Sequence, residues 1–269
     1  MFDKWLQPET VQQPSGALEY QLLADAGQIA DDELVDRLGR EMVRNYLPPG
    51  ELALVFDDLG VPEVAGYLRD NVLPKRLAVR HGDFGEVVAA GLYRQTWRWC
   101  VPVLKLRYKQ TPAQAVQGTD VLAFRFREDP PVIAVPEVKT RARRDLRVIA
   151  EAHESLEKVL GRLDESIRFL MVRCHERGQT FLSRRLAALL TPPARRRVER
   201  HMVFVHDAKS WKPDIVDRLD ALVTVRTRLT VVKVDALQDF VARVYDAAEA
   251  APGSTTRSDN GGSGTAGMA

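Results

Sequence analysis

Long apolar runs are missing from this 269-residue chain. No stretch approaches the roughly 18 uninterrupted apolar residues of a membrane-spanning helix, which excludes a transmembrane role. The opening residues Met1-Phe2-Asp3-Lys4-Trp5 show no basic region followed by an apolar one, so no secretory signal is expected. Cysteine is scarce: Cys100 and Cys174 give neither a disulfide framework nor zinc-ligand spacing, and a reduced, cytoplasmic setting is expected. His81, His153, His175, His201 and His206 are scattered, with no His-x-x-x-His pair to support zinc. Ser155 and Ser166 lie in helical patterns without a nucleophile elbow, so acyl transfer has no support. No glycine-rich phosphate loop is present, so a nucleotide-driven step would have to come from a partner. No internal repeat is found.

The chain does hold enough for a core: 45% hydrophobic and 28% charged residues, the balance of a soluble globular protein of one large or two small domains. Its net charge of +2 conceals a split. Residues 1–70 carry 14 Asp and Glu against 5 Lys and Arg, while residues 139–200 carry 16 Lys and Arg against 8 Asp and Glu. The second segment is suited to a polyanion, and the first to partner docking. Residues 1–75 therefore read as an acidic helical N-terminal elaboration and 76–250 as the main domain. Residues 251–269, rich in Gly, Ser and Thr, read as a disordered tail.

Residues up to about 16 are weakly patterned and read as irregular. Leu34, Leu38, Met42 and Val43 fall at helical spacing within 31–46, and a second helix should run from Pro62 to about Val72, closed by Pro74. Residues 83–98 read as a helix, and 101–108, 120–126 and 132–139 as three successive strands, with a turn at Asp129-Pro130-Pro131. Helices follow over about 144–160, from 163 and over 181–190, then strands at 202–205 and 222–234 and a closing helix at 236–247. The order predicts an α/β fold with a mixed sheet flanked by helices.

The chemistry centres on Pro136-Glu137-Val138-Lys139. Strand alternation puts Glu137 and Lys139 on one face and Val138 on the other. A carboxylate beside an ammonium on a buried strand is costly unless paired or used. If the preceding strand pairs with this one, Asp120 comes close to Glu137. Two carboxylates with a lysine make a hard-oxygen site for Mg²⁺, with a group to orient water. Asp83-Phe84-Gly85-Glu86 lies in the first turn of the expected helix, and Glu86 is either an auxiliary acid or part of a capping box begun by Asp83. Asp207-Ala208-Lys209 has the same Asp-x-Lys form but no matching strand before it, and ranks lower.

An acid on a helix, an Asp on one strand and Glu-x-Lys on the next follow the order of the PD-(D/E)XK nuclease superfamily, which this chain resembles over 81–160 and on towards 247. His81-Gly82-Asp83-Phe84-Gly85-Glu86, Leu104-Lys105-Leu106-Arg107-Tyr108, Gly118-Thr119-Asp120 and Glu137-Val138-Lys139 more narrowly resemble the nuclease subunit (HamA-like) of Hachiman-type anti-phage defence systems. Thr119 stands where the superfamily name has Pro. The resemblance implies a restriction-endonuclease-like fold and a Mg²⁺- or Mn²⁺-dependent DNA endonuclease, and with no base-reading module such as a zinc finger in the sequence, low sequence specificity is expected. It also implies restraint by a superfamily-2 helicase partner (HamB-like). Asp120, Glu137 and the Val138 carbonyl would hold the metal, Lys139 would position water, and Glu86 would bind a second metal or hydrogen-bond metal-bound water.

Arg141, Arg143, Arg144 and Arg147 follow the Glu-x-Lys strand and are read as contacts to the DNA backbone, with Arg195, Arg196, Arg197 and Arg200 as a weaker second cluster. Solvated, ion-paired helix faces are the plain alternative for both clusters. A non-cleaving DNA-binding or regulatory subunit on the same fold is the alternative for the whole chain.

Overall fold

The computed structural model describes residues 1–9, 13, 16–48, 61–109, 111–113, 121–192 and 195–250. The tail 251–269 and Asp120 lie outside them. In chain order the strands are β1 (Leu6–Glu9), β2 (Leu18–Asp25), β3 (Ala123–Arg125), β4 (Val132–Arg141), β5 (Arg197–Asp207) and β6 (Thr227–Val234). The helices are α1 (Phe2–Trp5), α2 (Asp31–Tyr46), α3 (Val61–Tyr67), α4 (Leu77–Gly91), α5 (Arg147–Gly161), α6 (Leu163–Glu176), α7 (Thr180–Ala188), α8 (Asp214–Leu222) and α9 (Leu237–Ala250).

All six strands join one mixed sheet in the order β1-β2-β6-β5-β4-β3. The central four run parallel, and the two outer strands are antiparallel to their neighbours. Valine-rich strands buried on both sides are what a parallel centre requires, because helical crossovers cover both faces. One apolar layer joins Leu38, Phe84, Val88 and Val241 to Val138, Val203 and Val232, so α2, α4 and α9 cover that face. The other joins Val148, Ile167, Leu186 and Leu219 to Ile133, Val135, Phe204 and Val231, so α5, α6, α7 and α8 cover the opposite face. No helix among the described residues is long and apolar enough to cross a membrane.

Several sequence expectations are corrected. Residues 2–9 are not irregular: α1 and β1 span Phe2 to Glu9, and Phe2 and Trp5 are buried. Residues 1–75 thus hold two strands besides helices. Their acids meet bases late in the chain: Glu9 with Lys233, and Asp31 and Asp32 with Arg243. The helix expected at 83–98 begins at Leu77, and a π-helical turn, Leu92–Thr96, follows it. Residues 101–108 are not a strand. Cys100 forms a single bridge to Phe124, Pro102 offers no N–H to a ladder, and Lys105–Tyr108 is a 3₁₀ turn. Val103 enters one apolar layer and Leu106 the other, so this segment wraps the sheet edge. Leu222 closes α8, and the strand after it starts only at Thr227.

Candidate functional site

β4 is paired to β3 only over Val132–Ala134, whereas β5 follows it along its whole length. Pro136, without a donor, is tolerated because it lies beyond the last β3 partner. The next residue is Glu137, only 6% exposed, and Lys139 Nζ donates to its Oε1 at 2.7 Å. Both side chains share the face of Ile133 and Val135, while Val138 and Thr140 turn to the α4 side. A carboxylate this deep is stable only with a partner, and the half-buried ammonium two residues on supplies one.

The antiparallel register pairs Ala123 with Ala134, so the chain entering β3 through the buried Val121 and Leu122 runs beside β4 on the side leading to Glu137. Glu86 stands in the middle of α4, half-buried, and lines a cleft with Asn45, Lys105 and Val121. The capping-box reading of Asp83 and Glu86 is therefore corrected: α4 starts at Leu77 with Arg76 as its N-cap, and neither acid is at a helix start. Gly85 sits against Val138 and Thr140, so α4 crosses β4 directly behind the Glu137–Lys139 pair. The structure thus brings Glu137 and Lys139 together and sets Glu86 on the other face of the same stretch of strand. Among the described residues no group of three or more His, Cys, Asp or Glu side chains converges as a metal cage.

The arginines at the end of β4 and just after it are largely engaged with carboxylates. Arg141 pairs with Glu151, Arg144 with Asp214 and Arg147 with Asp145, while Arg143 is exposed. Hydrogen bonds from Arg147 hold the Asp145 carboxyl at about 2. In the second cluster Arg196 pairs with Asp164, Arg197 with Glu128 and Glu199, and Arg200 with Glu157. Asp207 serves the fold: one oxygen accepts from Ser210 N at 3.0 Å and the other from Leu237 N at 3.1 Å, tying the end of β5 to the start of α9.

Two buried polar networks have no signature in the sequence. Asp83 accepts hydrogen bonds from both Tyr46 Oη and Lys109 Nζ, and Tyr46 Oη lies 3.1 Å from Tyr245 Oη. Burial pushes the Asp83 carboxyl above its ordinary range although Lys109 pulls the other way. This pair clamps the chain after the 3₁₀ turn onto α4. At the N-terminal end of β5, His201 bonds Tyr93 Oη through Nδ1 and faces Glu199 at 3.3 Å through Nε2. That contact holds the Glu199 carboxyl at about 2, while burial depresses the His201 imidazole.

No curated protein matches the chain. The family model described as HamA matches residues 1–248, nearly the whole sequence and all four motif segments that carry the resemblance. The chain belongs to the HamA family, a component of Hachiman-type anti-phage defence.

Proposed function

We propose that the chain is the nuclease of its defence system, a Mg²⁺-dependent DNA endonuclease built on a restriction-endonuclease-like arrangement. One observation carries the reading: a buried Glu137 with Lys139 Nζ at 2.7 Å, on the half of β4 that lies beyond β3. Asp120, the residue before Val121, is the proposed second carboxylate. Carboxylate and backbone carbonyl oxygens at Glu137 and Val138 are hard donors, which suit Mg²⁺, with Mn²⁺ able to replace it. The bound ion would offset the charge that grows on the scissile phosphate.

Within that scheme Lys139 donates a hydrogen bond to the attacking water, and its link to Glu137 fixes the ammonium before substrate arrives. Glu86, with Lys105 in its cleft, orders solvent on the α4 side. Arg143 meets the phosphate backbone, and Arg141, Arg144 and Arg147 exchange their carboxylate partners for phosphates, so binding weakens steeply with salt. A helicase partner restrains the reaction, and the acidic segment of residues 1–70 is the proposed contact.

The test uses supercoiled DNA with the full chain and Mg²⁺, with and without a chelator. Glu137→Gln and Lys139→Met should each abolish chelator-sensitive nicking while melting remains cooperative. A folded Glu137→Gln protein that cuts as fast as the unaltered chain overturns the assignment.

A further inference from the structure

The α6–α7 hairpin carries large apolar side chains on its outer side. α6 turns Ile167, Leu170 and Cys174 into the core and leaves Phe169 40% exposed. On α7, Leu186 is buried and Phe181 is 76% exposed, so the latter ring contributes almost nothing to folding. These rings are not bare. Arg173 lies 5.3 Å from the Phe169 centroid and 5.4 Å from that of Tyr108, whose ring meets Phe169 edge-on at 5.6 Å. Arg177 stands 5.0 Å over Tyr108, and Arg185 is 5.5 Å from Phe181. Two ring-and-guanidinium groups result: Tyr108, Phe169, Arg173 and Arg177 in one, and Phe181 with Arg185 in the other, where Arg185 also donates to the Phe126 carbonyl at 3.1 Å.

Positive charge dominates there. Glu176 pairs with Arg173 at 2.7 Å, while Arg107 donates to the Arg44 carbonyl, and burial first, then the positive charge of Arg177, lowers its guanidinium. An excess of guanidinium groups over carboxylates on this hairpin suits an anion. Cations beside π-faces match the phosphates and bases of one strand of nucleic acid, whereas a duplex hides its base faces. Tyr108 also immediately precedes Lys109, which is anchored to Asp83 on α4.

We propose that the outer face of α6 and α7, with Tyr108, is a platform for single-stranded nucleic acid: bases stack on Phe169, Phe181 and Tyr108, and phosphates meet Arg173, Arg177 and Arg185. The proposal does not depend on the chemistry of Glu137 and Lys139. Binding of a labelled oligothymidylate of about 20 nucleotides to the full chain is therefore measured by anisotropy with chelator present, beside a duplex of the same length. The single strand should bind more tightly than the duplex. Phe181→Ala should weaken it by roughly 5- to 150-fold without lowering the melting temperature. Arg177→Ala should reduce the slope of log affinity against log salt by about 0.7. Equal affinity for strand and duplex, or unchanged affinity in a Phe169→Ala/Phe181→Ala chain, overturns the proposal. If that double variant instead loses a co-purifying protein, the face is a protein-docking surface.

Discussion

Replacing Gly85 with alanine tests how closely α4 is pressed onto β4, and Gly82 on the same helix supplies the control. A methyl group at Gly82 meets nothing within 4 Å, and the position is exposed. Gly82→Ala should stabilise by about 0.8–1 kcal/mol, the ordinary gain of alanine over glycine in a helix interior. At Gly85 the same methyl would overlap Thr140 Oγ1 and come within 3.1 Å of Val138 Cγ1. Thr140 is β-branched and buried on a strand flanked along its length by β5, so neither rotation nor retreat relieves the contact cheaply. Overpacking of this kind costs about 1–3 kcal/mol, and the overlap with a stiff side chain places it in the upper part of that range. After the helix gain, Gly85→Ala should destabilise by about 1–2 kcal/mol, leaving the two variants about 2–3 kcal/mol apart. At about 2–4 °C per kcal/mol for a chain of this size, their melting temperatures should differ by roughly 4–12 °C. Adding Thr140→Ala to Gly85→Ala should narrow the gap, because the overlapping oxygen is gone. If Gly85→Ala melts as high as Gly82→Ala, the close crossing behind Glu137 and Lys139 is wrong.

Lys109→Met leaves the Asp83 carboxylate buried without its cation and should cost about 3–5 kcal/mol in urea denaturation. Lys109→Met with Asp83→Asn should recover much of that loss, and equal costs for single and double variants would refute the pairing. The pH dependence follows from Glu199, held at about 2 against an ordinary 4.5: its stabilisation is complete above 4.5 and is lost as pH falls towards 2. His201, depressed by burial, acts in the same direction, because below its ordinary 6.5 the unfolded chain takes up the proton more readily. Glu199→Gln should therefore flatten the fall of the urea midpoint below pH 4.5, and an unchanged acid limb would refute the contact.

What could be read in advance followed from local periodicity. β4, β5 and β6 announce themselves as valine-rich runs, and alternation alone put Glu137 and Lys139 on one face. Elements whose logic is tertiary stayed hidden. β2 carries Glu19 and Gln21 among its apolar residues, and the Glu19 charge is answered by Arg226 and Arg228 from the far end of the sequence. Gly82 and Gly85 weakened the helical signal before Glu86, although Gly85 is needed for close approach to β4. Lys109 finds Asp83 26 residues away through a turn rather than a regular element, so no spacing rule could pair them. Pro102 and the edge-wrapping course of the following residues explain the strand that did not form.

The pairing of β2 with β6 has a consequence for biosynthesis. Leu18 hydrogen-bonds its way into the sheet beside Thr227, and α9, which packs on α2, comes later still. At roughly 5–20 residues per second, the strand made first waits about 10–40 s for its neighbour to leave the ribosome. Until then its apolar face and ladder groups are open to foreign contacts, so a chaperone or an early-binding subunit would have most effect on this N-terminal strand during translation.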